Sequence, residues 1–269
     1  MKTIKQAVVV LLILLVVANV ASYFYLGSTD KDVPPEITCP NDILEISASD
    51  SEEVLLVDVT AEDQQDGDLT ERITIGGISK LVTRDTAKVT YLVFDSDNNM
   101  ASCARRIRYV DYHRPTFDVT EPLVYATTEE VAMLSRLKAT DVVDGDISKN
   151  IRVSTLEATD HSEIFHVTIQ ASNSLGDTSM LTLPVLMFES NPLRPEIQLS
   201  DWLIYLEQDS EFIPSAYLLS VQAPGLVPSV AEVTVDNGVD TAKSGTYYVT
   251  YTYSANGSTG IAVLTVVVQ

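Results

Sequence analysis

Two stretches of carboxylates in this chain have the spacing to gather a hard cation. They are Asp63-Gln-Gln-Asp-Gly-Asp-Leu69 and Asp141-Val-Val-Asp-Gly-Asp-Ile147, offset by 78 residues. Calcium takes about six to eight oxygen ligands in loose geometry, and carboxylates suit it. Crowding carboxylates together without a cation is electrostatically unfavourable. Asp63, Asp66 and Asp68 therefore form one candidate calcium set, completed by Asp95, Asp97 and Asn98 of a later turn. Asp141, Asp144 and Asp146 form the second, with Asn173 and Asp177 opposite and Asp111 within reach. A second reading needs no metal. In it Asp-Gly-Asp is a turn, with Gly67 and Gly145 supplying positive φ and the Asp side chains accepting from nearby amides. The spacing departs from an EF-hand loop, and the residues alone leave both readings open.

The elements that must position these acids are strands. Each heptad is followed, 26 residues after its first Asp, by a Val-Thr pair that opens an alternating segment, Val89-Thr90 and Val167-Thr168. An offset shared by a loop and a distant strand marks a duplicated domain. Pro34-Pro35, Arg114-Pro115 and Arg194-Pro195 each precede an extended segment, as proline geometry favours. Alternation is clearest where Tyr247, Val249, Tyr251 and Tyr253 share one face and Tyr248, Thr250, Thr252 and Ser254 the other. Hairpin turns are expected at Asp95–Asn99, Ser172–Asp177 and Ala255–Ser258, and one helical turn over Glu129–Leu137. Short strands with frequent turns indicate an all-β fold: three tandem immunoglobulin-like β-sandwiches over 34–110, 111–190 and 191–269. In such a sandwich the acidic loop and the last hairpin lie at the same end, which is what would let the carboxylates converge.

Ahead of the sandwiches, residues 1–6 carry Lys2 and Lys5, and 7–26 form an uncharged apolar run. At 1.5 Å per residue that run matches a hydrocarbon core of about 30 Å. The expectation is one transmembrane α-helix acting as a signal anchor, with 27–33 as linker. The lysines place the N-terminus in the cytoplasm and the C-terminal portion outside the cell. A cleaved signal peptide is the alternative, but Tyr23-Phe24-Tyr25-Leu26 prolongs the run beyond a usual signal core.

The segment Pro34-Pro-Glu-Ile-Thr-Cys-Pro40 with Ala101-Ser-Cys103 resembles the hyalin repeat, an extracellular immunoglobulin-like module. Thr60–Thr70, Ala139–Ser148, Val89-Thr-Tyr91 and Tyr247-Tyr-Val-Thr-Tyr251 are similar to bacterial immunoglobulin-like surface repeats. These resemblances imply a cell-surface location and leave the ligand open. Cys39 and Cys103 are the two cysteines of the chain, and outside a cell an even count favours a disulfide over two buried thiols.

Net charge of −21 repels phosphate backbones, so nucleic acid is not an expected partner. His113, His161 and His166 form no metal-binding pair, no nucleophile elbow or phosphate loop accompanies them, and enzyme activity is not expected. Trp202, the sole tryptophan, is a candidate ligand contact, although a core or interdomain anchor is the more ordinary role. The expected function is a membrane-anchored structural or adhesive stalk presenting a distal domain to an extracellular protein or glycan. The alternative is a carbohydrate-binding or envelope-assembly accessory.

Overall fold

The computed structural model describes residues 11–22, 33–127, 132–158 and 163–269. His161 and the first part of the helical turn expected over 129–137 lie outside these residues; Met133–Arg136 forms a 3-10 turn.

The expected membrane span requires correction. Helix α1 covers 11–22 among the described residues. Among the described residues no helix is long and apolar enough to cross a membrane. The ends of the 7–26 run lie outside the described residues. This finding overturns the single-pass placement with a cytoplasmic N-terminus.

The chain divides into two compact units. The first runs to Ile46 and adds Asp50–Ser79 and Thr86–Arg108. Its strands are β1 (Glu36–Thr38), β2 (Ile43–Ile46), β3 (Thr60–Asp63), β4 (Gly67–Asp68), β5 (Thr74–Ile78), β6 (Thr86–Phe94) and β7 (Met100–Tyr109). They form one sheet in the order β1-β3-β4 and a second in the order β2-β7-β6-β5. In β6 every second residue is inward: Ala87, Val89, Tyr91 and Val93 are all fully buried. Burying such a side chain contributes about 2 kcal/mol, which pins the register, because a one-residue slip would expose the whole set. The Tyr91 hydroxyl, inside this core, donates to the Leu55 carbonyl at 2.6 Å, tying β6 to the short helix α2 (Glu52–Leu55). Cys39 and Cys103 form a disulfide that joins the segment after β1 to β7.

The second unit holds Ser47–Ser49, Lys80–Asp85 and Tyr109–Gln269. It contains β8 (Thr116–Val119), β9 (Val124–Ala126), β10 (Leu137–Asp141), β11 (Gly145–Asp146), β12 (Arg152–Ala158), β13 (Ile164–Ser172) and β14 (Thr178–Phe188). There follow β15 (Glu196–Leu199), β16 (Leu203–Leu206), β17 (Leu218–Gln222), β18 (Thr234–Asn237), β19 (Gly245–Ala255) and β20 (Ser258–Val268). The sheets β11-β10-β8 and β12-β13-β14-β9 enclose one core, around Phe117, Tyr125, Ile169 and Leu183. The sheets β15-β17 and β16-β20-β19-β18 enclose another, around Leu199, Val249, Tyr251 and Leu264. In both, the chain's leading strand is split between the sheets: β9 runs parallel to β14, and β16 parallel to β20.

These two sandwiches are packed on one another. Trp202 touches both cores, and Leu203 belongs to the first of them. Phe117 N–H, at the start of the edge strand β8, donates to the Tyr205 hydroxyl at 2.9 Å. The Tyr248 ring stacks on His166 at 5.0 Å, and its hydroxyl donates to the Thr182 carbonyl at 3.1 Å. Gly260 is fitted against Pro195 so closely that a Cβ there would stand 2.3 Å from the Pro195 carbonyl oxygen.

Candidate functional site

The two acidic turns are built alike. Gly67 (φ 74°) and Gly145 (φ 69°) reverse the chain in the left-handed region, where a side chain is strained. Asp63 Oδ1 accepts from the Gln65 and Asp66 amides at 2.7 and 2.8 Å; Asp141 Oδ1 accepts from the Val143 and Asp144 amides at 2.9 and 3.0 Å. Asp68 accepts from Thr70 N–H, and Asp146 from both Ser148 N–H and its hydroxyl. The donors hold these carboxyls below the usual range: the Asp66 amide foremost for Asp63, the Thr70 hydroxyl for Asp68, the Ser148 hydroxyl for Asp146.

The acidic turn and the last hairpin do meet, through two serines the sequence reading did not single out. Asp66 accepts from both the amide and the hydroxyl of Ser96, and Asp144 accepts from both groups of Ser174. Ser96 and Ser174 share the 78-residue offset of the acids, and that offset was the signal available to find them. Each pair forms a clasp across 30 residues of chain, closing one end of its sandwich.

The remaining candidates are tied up locally. Asp95 accepts from the Asp97 and Asn99 amides and from Asn99 Nδ2. Asp97 is exposed, and Asn98 occupies the left-handed position of the hairpin at φ 67°. Asp111 accepts from the Ser47 hydroxyl and the Ala48 amide, which lower its pKa, so its oxygens are turned to that segment. Asn173 Nδ2 donates to Asp141 Oδ2 at 3.0 Å and to the Tyr112 hydroxyl at 3.0 Å. Tyr112 in turn donates to Asp177 Oδ2 at 2.9 Å, with Arg114 3.5 Å from the same oxygen. Burial and this carboxylate neighbour push the Tyr112 phenol well above its ordinary pKa. Among the described residues no group of three or more His, Cys, Asp or Glu side chains is arranged to hold a metal ion. One oxygen each of Asp63, Asp68 and Asp146, and both oxygens of Asp66, Asp95, Asp141 and Asp144, accept from amide or hydroxyl donors of the protein itself.

The last sandwich keeps the turn and changes its chemistry. Gly225 (φ 75°) takes the reversing position, between Ala223 and Leu226. No carboxylate follows; the Asn256 amide of the final hairpin donates to the Pro224 carbonyl at 3.0 Å. That hairpin is short, with Asn256 and Gly257 both at positive φ. Two residues before each Arg-Pro pair, Tyr112 is replaced by Pro192. At the corresponding place the structure opens into a cleft of about 500 Å³, lined by Pro192, Trp202, Phe188, Gln198, Gln222 and Pro224 among others. Trp202 is half-buried: it is an anchor between the two cores and also a wall of this cleft. Arg194, beside it, is paired with both Glu163 oxygens at 3.2 and 3.0 Å and lies 4.1 Å over the Phe188 ring.

His113 is exposed beside Arg114, and His166 is committed to its stack with Tyr248.

No protein-family model matches the chain, and no curated protein matches it. Solved structures similar to it include CBM51-2 in complex with GlcNAc and INT domains from Clostridium perfringens ZmpB, at 16% identity over 52% of this chain and 29% of that one, TM-score 0.24. The protocadherin GammaB4 extracellular domain matches at 13% identity over 90% of this chain and 50% of that one, TM-score 0.22. Mouse cadherin-23 EC22-24 matches at 16% identity over 88% of this chain and 99% of that one, TM-score 0.21. The chain thus spans about a third of the length of the first of these structures. The chain itself is a β-sandwich protein with one disulfide, as its paired sheets, buried cores and Cys39–Cys103 bond establish.

Proposed function

We propose that this protein is a non-catalytic adhesive or binding module of an oxidising, extracytoplasmic compartment, and that its ligand enters the cleft beside Trp202. The disulfide supports the compartment, because such bonds persist where thiols are not kept reduced. The resemblance of residues 34–40 to the hyalin repeat agrees with it. In this reading the acidic turns are braces. Their carboxylates accept hydrogen bonds from the protein's own donors, which suits a scaffold.

The observation that carries the proposal is the contrast between two equivalent positions. Tyr112, Asn173 and Asp177 fill the leading end of the middle sandwich with a hydrogen-bonded plug. Pro192 and the shortened Asn256-Gly257 hairpin leave the leading end of the last one open. A concave site with a few convergent polar groups is the default place for recognition. Replacing the exposed Pro192 by tyrosine puts bulk back into the cleft. Full-length protein and its Pro192→Tyr variant, screened in parallel on glycan and peptide arrays, test the reading. Binding that the variant loses, with an unchanged melting temperature, supports it; binding that both proteins share equally refutes it.

A further inference from the structure

From the cleft lining we infer that the ligand is a neutral saccharide, an inference that rests on the binding-module reading above. The lining includes the apolar side chains Trp202, Phe188 and Ile261. It also includes the exposed face of the two-stranded sheet β15-β17, where Glu196 and Gln222 are cross-strand partners and Gln198 stands two residues along. Ile197, Leu199 and Val221, which alternate with them, point into the core.

A sugar ring has the same mixed character: C–H groups on its faces and hydroxyls around its edge, each able both to donate and to accept. A glutamine amide offers two donors and an acceptor, so a Gln pair answers a hydroxyl in either sense. Gln198 Nε2 already donates to the Leu199 carbonyl at 3.2 Å, which fixes the amide's orientation while its oxygen remains an acceptor. Trp is the side chain best suited to cover an apolar ring face with one polar edge.

Charge argues against an acidic ligand. The cation lining the cleft, Arg194, is neutralised by both oxygens of Glu163 and stacked on Phe188. Glu196 adds negative charge, and the whole chain carries −21. A carboxylated or phosphorylated ligand would meet repulsion, with Arg194, the cation among the described lining residues, already paired. A volume of about 500 Å³ lies within the usual range for small-ligand sites.

Because Trp202 is the only tryptophan, its fluorescence reports the cleft directly. Full-length protein is titrated with the neutral disaccharides lactose, cellobiose and N,N′-diacetylchitobiose, and with glucuronic acid as the anionic control. The expected result is a saturable emission shift with at least one neutral disaccharide and none with glucuronic acid. Gln198→Ala and Gln222→Ala should each weaken binding about five- to tenfold, the loss of roughly one hydrogen bond, with melting temperature unchanged. Silence with every neutral saccharide, or an equal response to glucuronic acid, overturns the inference. So does a saccharide response that both glutamine variants retain in full. Peptide-array binding that Pro192→Tyr abolishes, without any saccharide response, would overturn the saccharide and leave the binding-module reading standing. The loss of cleft-dependent binding on both arrays would remove both.

Discussion

Asp141→Ala should cost the second unit far more than the matching change, Asp63→Ala, costs the first. Asp141 is 2% exposed and accepts three hydrogen bonds: from the Val143 and Asp144 amides and from Asn173 Nδ2. The two turn amides can rotate toward water, so each loss is worth about 0.5–1 kcal/mol. Asn173 is itself 6% exposed, and the Nδ2 donor it aims at Asp141 cannot find water; stranding a buried donor of this kind costs about 1–3 kcal/mol. The total is about 3 kcal/mol, or a fall of about 6–12 °C in melting temperature for a unit of this size. Asp63 makes the same two turn bonds but receives no side-chain donor from the last hairpin, since Asp95 stands where the other repeat has Asn173. Its removal should cost about 1 kcal/mol. Urea unfolding followed by Trp202 fluorescence isolates the second unit, while far-UV circular dichroism reports both. A shift of the Trp202 transition below about 1 kcal/mol in Asp141→Ala, or equal costs for the two variants, would refute this account of the turns.

Millimolar calcium should leave the melting temperature where a chelator leaves it, because the turn carboxylates already have donors; a calcium-dependent rise would show that the loops rearrange around the ion. Gly260→Ala should destabilise the second unit by about 2 kcal/mol, read by the Trp202 transition, since its methyl group meets the Pro195 carbonyl and backbone must shift. Burial raises the Tyr251 phenol to about 12, so its contribution is present below the unfolded value of about 10 and is lost as pH climbs from there through 12. Tyr251→Phe gives up the 2.8 Å bond to the Pro214 carbonyl, about 1 kcal/mol at neutral pH, and should show a shallower alkaline loss in unfolding measured from pH 7 to 12.

Much of the fold was legible because alternation and burial obey one physical rule. The hairpins expected at 95–99, 172–177 and 255–258 coincide with the turns joining β6 to β7, β13 to β14 and β19 to β20. The disulfide followed from two cysteines and compartment logic. Period-two alternation tells which side chains leave their own core; it cannot tell whether another surface covers them. Tyr248 shares a face with Thr250, Thr252 and Ser254, opposite the core-filling Val249 and Tyr251, yet it is docked against Thr182 and His166; the polar Thr265 is 1% exposed. The acidic turns were found by type and spacing, and their serine partners were overlooked because a single Ser in a turn has no distinctive signal. The carboxylates alone leave a cation and a metal-free turn both open, because sequence displays acceptors vividly and hides the backbone amides that donate to them.

The Cys39–Cys103 bond also decides how the protein responds to tension. It spans 64 residues, so a pull along the chain enters near β1, crosses the sulfur bridge and leaves through β7. Strands β2 to β6 lie off the load path, and unfolding them releases no length. The second unit has no such shunt: among the described residues there is no other disulfide, and each residue freed there can add about 3.4 Å. Under force the first unit behaves as an inextensible link and the second as the spring, which places the cleft beside Trp202 on the part of the chain whose shape answers to load.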